Sequence, residues 1–174
     1  MSASFPSTRP ADIEALADSL SASASALHER IMRAIRRNGQ QADRTDGDAP
    51  ADVADGVDGG GITHADAQAL FEQEVALRQQ ANSLYVDAAR LATAGLVVPQ
   101  AQLLEVTARA RETIRKLDRA KDIAGIVAAL LGLTGAIVGA QAKEAAAALE
   151  DLRDNLDAYR ADSRKPDDGH TMGA

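Results

Sequence analysis

Proton transfer near neutral pH is chiefly the work of histidine, and this chain of 174 residues has three, His28, His64 and His170. They fall in a helical stretch, at a helix start and in the C-terminal tail, so no two share a motif. His28-Glu29 is followed by Arg30-Ile31-Met32, which is not the His-Glu-x-x-His of a zinc peptidase. No Glu-x-x-His pair occurs either, which removes the di-metal carboxylate bundle. Gly59-Gly60-Gly61 lacks the Lys and Ser/Thr of a phosphate loop. The absence of Cys excludes disulfides and thiol catalysis. Carboxylates are abundant but repeat in no inward-facing arrangement. These patterns predict a non-enzymatic protein with no catalytic residue, no cofactor, no metal-ligand set and no small-molecule substrate.

The formal net charge of −7 speaks against nucleic acid as a partner, because such binders present a basic face. Two basic runs, Arg30–Arg37 and Arg109–Lys121, read as solvated helix faces with cations near helix C-termini. The start, Met1-Ser2-Ala3-Ser4-Phe5-Pro6-Ser7, has neither the basic region nor the apolar core of a cleavable signal peptide. The expected location is cytoplasmic as synthesised, with membrane association or export by a non-Sec route as the alternatives.

Aromatic residues make up 2% of the chain, so a core must be built from Leu, Ile, Val and Ala. No run of β-branched residues alternates with polar ones. The expected fold is all-α: an elongated bundle of three to four helices of about thirty residues with coiled-coil-like packing, plus disordered tails at 1–9 and 163–174. Helix A is predicted over 10–38, with Ile13, Leu16, Ala17, Leu20, Ala24, Leu27, Ile31 and Ile35 as one stripe and Asn38-Gly39 as its stop. An acidic, Gly-rich flexible linker is predicted over 39–62. The helical hairpin or bundle domain occupies 63–162. Its helix B carries Leu70, Leu77, Leu84 and Leu91 every seven residues, with Ala67, Ala81 and Ala88 in the companion position and Glu74 interrupting the seam.

Within the linker, Asp55-Gly56-Val57-Asp58-Gly59-Gly60-Gly61-Ile62-Thr63-His64-Ala65-Asp66, followed by Ala69-Leu70-Phe71, resembles the calcium loop and exiting helix of an EF-hand. The resemblance puts Asp55 at the first ligand position, Gly60 at the turn, Ile62 at the bridge and Asp66 at the last ligand. Val57 and Gly59 occupy two positions where the family carries ligands. It implies a calcium-responsive module. The same residues also spell a simpler arrangement, in which Thr63 caps helix B, Asp66 completes a capping box and Ile62 packs as a staple.

The most unusual stretch is Ile123–Ala140, eighteen residues without a charge. Unbroken, such a helix would reach about 27 Å, enough to cross a bilayer core. Gly125, Gly132 and Gly139 repeat every seven residues, and Gly135 to Gly139 is a G-x-x-x-G of the kind that lets helices approach closely. Six Lys/Arg in the fifteen residues before it, against two in the fifteen after, would keep its N-terminal side cytoplasmic. Alternatively Gly132-Leu133-Thr134-Gly135 is a turn between helix C (99–131) and helix D (135–162), which matches all four helix lengths. That geometry would leave part of an apolar tip facing water, and an exposed patch of this kind marks an interaction surface. The predicted surface is Ile123, Ile126, Val127, Leu130, Leu131, Ile137 and Val138 with Gly125, Gly132, Gly135 and Gly139. It would meet a protein partner or another copy, giving a homo-oligomer, or else a membrane. The layout of Ser-rich start, coiled-coil helices, one apolar stretch and amphipathic C-terminal helix resembles the smaller type III secretion translocators, which implies a membrane-inserting alternative.

Overall fold

The computed structural model describes residues 9–45, 62–94 and 98–162. Five helices account for nearly all of them, and no strand occurs among the described residues: α1 (Pro10–Thr45), α2 (His64–Ala94), α3 (Gln100–Lys116), α4 (Ala120–Val138) and α5 (Ala142–Asp162). The predicted tails and most of the acidic linker, 46–61, lie outside the described residues.

Helix α1 carries two buried faces. The predicted stripe from Ile13 to Ile31 is buried, and so are Ser23, Ala26 and Arg30 beside it. The second face meets α3, where Ser19 Oγ and Thr107 Oγ1 share a hydrogen bond of 2.7 Å. Ser23 satisfies its own hydroxyl on the Ser19 carbonyl at 2.9 Å, so the Ser/Ala run supplies small, internally bonded side chains at a helix contact. Two expectations for α1 fail. The helix continues through Asn38-Gly39 to Thr45, because Asn38 donates its side-chain amide to the Ile62 carbonyl at 2.8 Å instead of ending the helix. Ile35, predicted in the core stripe, is 42% exposed.

Helix α2 runs antiparallel to α1, with Asn38 level with Ile62 and His28 level with Glu74. All seven Leu and Ala positions of its heptad seam are buried. Its start is the expected capping box. The Thr63 N–H donates to Asp66 Oδ2 at 3.0 Å and the Asp66 N–H to Thr63 Oγ1 at 3.1 Å, while Ile62 is buried behind them.

The C-terminal half differs from both geometries expected for it. Helices C and D of about thirty residues are replaced by three shorter helices, with breaks at 117–119 and 139–141. Gly132 to Gly135 lies inside α4, and Thr134 bonds the Leu130 carbonyl at 2.7 Å rather than capping a new helix. Magnitudes explain why. Three interior glycines cost about 1 kcal/mol each relative to Ala. Six large aliphatic side chains of α4 are buried only if the helix stays whole, at about 1.5–3 kcal/mol each. The burial wins.

The break at Leu117–Arg119 has no Gly or Pro to mark it. Leu117 and Arg119 take extended backbone angles, and a tertiary contact holds them so. Arg30, 4% exposed, donates through Nε to the Leu117 carbonyl and through Nη2 to Asp118 Oδ1, both at 2.7 Å. This corrects the reading of Arg30–Arg37 as wholly solvated. The second break is a Schellman ending: the Gln141 N–H reaches the Ala136 carbonyl at 2.9 Å and the Ala140 N–H the Ile137 carbonyl at 3.0 Å. The left-handed position (φ 54°) is filled by Ala140, while Gly139 beside it is right-handed.

The packing follows a circuit. α1 packs on α2 and α3, α2 on α4, α4 on α5, and α5 returns to α3. One continuous core runs through all five helices.

Each break can be tested by a single substitution. Ala140→Gly removes a left-handed alanine and should raise stability by about 1 kcal/mol, read as a higher urea midpoint at unchanged slope. Arg30→Ala strands the Leu117 carbonyl and should cost about 1–3 kcal/mol, whereas exposed Arg33→Ala should change stability by less than about 0.5 kcal/mol. Equal losses at the two arginine positions in thermal melts would show that the clamp does not hold the α3–α4 break.

Candidate interaction surface

The residues singled out in the sequence separate by size. Ile123, Ile126, Val127, Leu130 and Ile137 are buried in the core, and Leu131 and Val138 are half-buried against it. The water-facing apolar tip expected of them is therefore absent from this fold, because α2, α3 and α5 stand around α4. Gly125, Gly132, Gly135 and Gly139 are the fully exposed members of the set. They form an outer strip with Ala128. A Cβ on Gly125 would meet Tyr159 Oη at 3.4 Å, and one on Gly132 would meet nothing within 4 Å. At Gly139 it would crowd the Gly135 carbonyl at 3.2 Å, so one half of the G-x-x-x-G serves the helix ending. By length and composition alone α4 could cross a membrane.

Apolar side chains do reach the surface elsewhere. Every large one exposed among the described residues lies on α1 or α2: Met32, Ile35, Val75, Tyr85 and Val86. Val75 is 52% and Val86 85% exposed. On the outer side of the α1–α2 pair, Ile35, Ala67, Phe71 and Val75 line a groove of about 520 Å³, with His64, Gln68 and Glu72 completing its wall. Each of the two helices carries a buried stripe toward the core, and these residues are the apolar positions outside it. Ile35 was the only one that sequence periodicity had drawn attention to, and it had placed Ile35 inside. The signal for the rest was present as uncharged residues on the outer side of α2, at Gln68, Phe71, Val75, Asn82, Val86 and Ala89.

One groove residue, Phe71, adjoins a cluster of polar contacts. Buried Glu74 accepts Arg78 Nε at 2.9 Å and lies 2.9 Å from His28 Nδ1. The His28 ring meets Phe71 edge-on, with centroids 5.9 Å apart. The interruption in the leucine seam is thus a paired carboxylate tying α1 to α2. Farther along, Tyr85 donates its hydroxyl to Asp18, and this bond to a carboxylate raises the Tyr85 pKa above the usual phenol value.

A second depression, about 310 Å³, lies between α3 and α5 and is lined by Arg109, Lys116, Leu117, Leu156, Tyr159 and Arg160 with Glu112 and Thr113. Its charge is largely balanced: Arg109 pairs with Asp157, and Lys116 with Glu112 at 3.0 Å. Burial, with the Asp122 carboxylate nearby, pushes the Tyr159 pKa up. Among the described residues no group of three or more His, Asp or Glu stands where it could hold a metal ion. Of the EF-hand resemblance, Asp55 to Gly61 lies outside the described residues, and the Asp66 carboxylate is engaged by Thr63.

The chain matches no protein-family profile, no curated protein and no solved structure.

The two apolar regions should respond oppositely to a carboxylate. Ile126→Asp places a charge in a fully buried site and should unfold the chain at 25 °C. Ile35→Asp with Val75→Asp should leave the helical circular-dichroism spectrum intact and move the melting temperature by no more than a few degrees. A folded Ile126→Asp protein would mean that α4 is not core.

Proposed function

We propose that this chain is a non-enzymatic helical assembly protein that docks through the outer face of α1 and α2. One observation carries the reading: all the large exposed apolar side chains among the described residues gather on these two neighbouring helices. Scattered apolar residues are ordinary on any surface, but Ile35 and Val75 share one concave groove with Phe71, and an apolar concavity rimmed by polar residues marks a contact site. The His28 ring, 2.9 Å through Nδ1 from Glu74, packs edge-on against Phe71, which limits the entropy lost on docking. In this reading no side chain does covalent chemistry, and α4 is the core helix that keeps the α1–α2 pair rigid.

The α4 segment remains the basis of two other readings. Its glycine strip would let a second helix approach the backbone closely, but the one exposed side chain within it is the methyl of Ala128. Insertion of α4 into a membrane would require Ile123, Ile126, Val127, Leu130 and Ile137 to exchange their core contacts for lipid.

Retention of the dilute, folded chain on a phenyl resin separates these readings. Ile35→Asp/Val75→Asp should elute markedly earlier than the parent, while Ala128→Asp on the α4 strip should not. The reverse order would move the docking face to α4. Co-flotation of the folded chain with neutral phosphatidylcholine vesicles would favour membrane insertion.

A further inference from the structure

We infer that the α3–α4 junction is a conformational device. Residues 116–121 close into a helix continuous over 100–138, and in that form α4 and α5 are exchanged with those of a second copy of this chain. Arg30 is the latch that holds the broken, self-contained form. The inference is independent of the α1–α2 groove and leaves that face uncovered.

Local preference is the first argument. Lys116, Leu117, Arg119, Ala120 and Lys121 all favour helix, and neither Gly nor Pro interrupts 116–121. Yet α3 stops at Lys116, α4 starts at Ala120, and no side chain caps the start of α4. The break leaves the N–H groups of Asp118, Arg119, Ala120 and Lys121 without helical bonds to the carbonyls of Ile114, Arg115, Lys116 and Leu117. A continuous helix forms all of them. What holds the junction open is α1. Arg30 donates to the Leu117 carbonyl and to Asp118, both at 2.7 Å, and Arg37 lies 3.9 Å from the same carboxylate.

The second argument is what an exchange preserves. α4 packs on α2, α5 packs on α3, and α4 and α5 pack on each other. If α4 and α5 leave together and take the same places on a second copy, these core contacts are remade between chains and only the junction differs. Such an exchange needs no new surface, and a short hinge held against its local preference favours it. In a lone chain the released α4 would instead expose six large aliphatic side chains to water. The continuous helix therefore forms only where a second copy receives α4.

Three substitutions act on the junction. The Asp118 side chain is 73% exposed, so Asp118→Ala removes the carboxylate that Arg30 and Arg37 share and favours helix without emptying the core. Arg30→Ala removes the latch. Ala120→Pro acts in the opposite sense. Ala120 is the first residue of α4, where proline is tolerated, and Arg119 before it is already extended with ψ 126°. In a continuous helix the same proline lies in the interior and breaks it.

Sedimentation of the full-length chain at rising concentration reads the exchange. Asp118→Ala and Arg30→Ala should each raise the dimer association constant at least about 10-fold over wild type, for the loss of one hydrogen bond to a charged group. Adding Ala120→Pro to either should return it to the wild-type value or below. If Arg30→Ala fails to fold, Asp118→Ala carries the test alone. Cross-linking reads which chain supplies α4. The chain has no cysteine, and a Cβ on Gly135 would stand 3.8 Å from Gln80 Nε2. With Gln80→Cys and Gly135→Cys added to Asp118→Ala, a short bis-maleimide should join two chains in the dimer fraction and stay within one chain in the monomer fraction, read on a denaturing gel. Dimers that denature to internally linked single chains overturn the exchange. So do Asp118→Ala and Arg30→Ala chains that are monomeric at every concentration, or a dimer indifferent to Ala120→Pro. Ile35→Asp/Val75→Asp should leave the dimer intact, and its loss there would place the contact in the α1–α2 groove and overturn the exchange while the docking face stands.

Discussion

Keeping α4 out of water constrains everything else in this fold. From Ile123 to Ala140 no residue is charged, and buried side chains occur around much of the helix circumference. A helix of that kind needs neighbours on several sides, whereas an amphipathic helix needs them on one. The chain supplies them by reversing direction before and after α4. α3 and α5 then flank it in the C-terminal half, and α2 covers it from the N-terminal half. The fully exposed positions of its uncharged stretch are small, the glycines with Ala128 and Ala140, and Leu131 and Val138 stay half-buried.

The reversals carry costs that are met at a distance. The first breaks a helix in a sequence with no local breaker, and buried Arg30, 87 residues away from Leu117, satisfies the freed carbonyl. Burial lowers the Arg30 pKa, opposed by the Asp118 carboxylate that it grips. The second reversal places an alanine in a left-handed conformation. Both are local departures from low-energy backbone that the surrounding packing maintains, and both serve to cover α4.

With α4 covered, the apolar surface that remains belongs to the helices that cover it from outside. α1 and α2 share a long antiparallel contact, tied by the His28–Glu74 pair. Their outer sides carry Met32, Ile35, Val75, Tyr85 and Val86. The surface richest in exposed apolar side chains is thus a long way in sequence from the segment richest in apolar residues. An apolar run draws helices around itself, and the exposed remainder appears where no further helix is available.

Much of the secondary structure was legible residue by residue, because helix periodicity and caps are local. The Leu70–Leu91 seam, the Thr63–Asp66 capping box and the all-α class follow from spacing and side-chain chemistry alone. What the tertiary structure decided concerns positions where a local preference met a distant partner. Asn38 spends its amide on Ile62 and the helix runs on. Gly132 and Gly135, good turn formers by themselves, stay helical because turning there would expose six aliphatic side chains. Lys116-Leu117-Asp118-Arg119, with nothing local to stop a helix, breaks because Arg30 holds it open. Ile35 fits the periodic stripe yet lies outside, and Ile126 lacks a single-face pattern yet lies fully inside. Periodicity tells which side chains share a face. Which faces are covered depends on how many helices surround each one, and that is fixed only when the whole chain has packed.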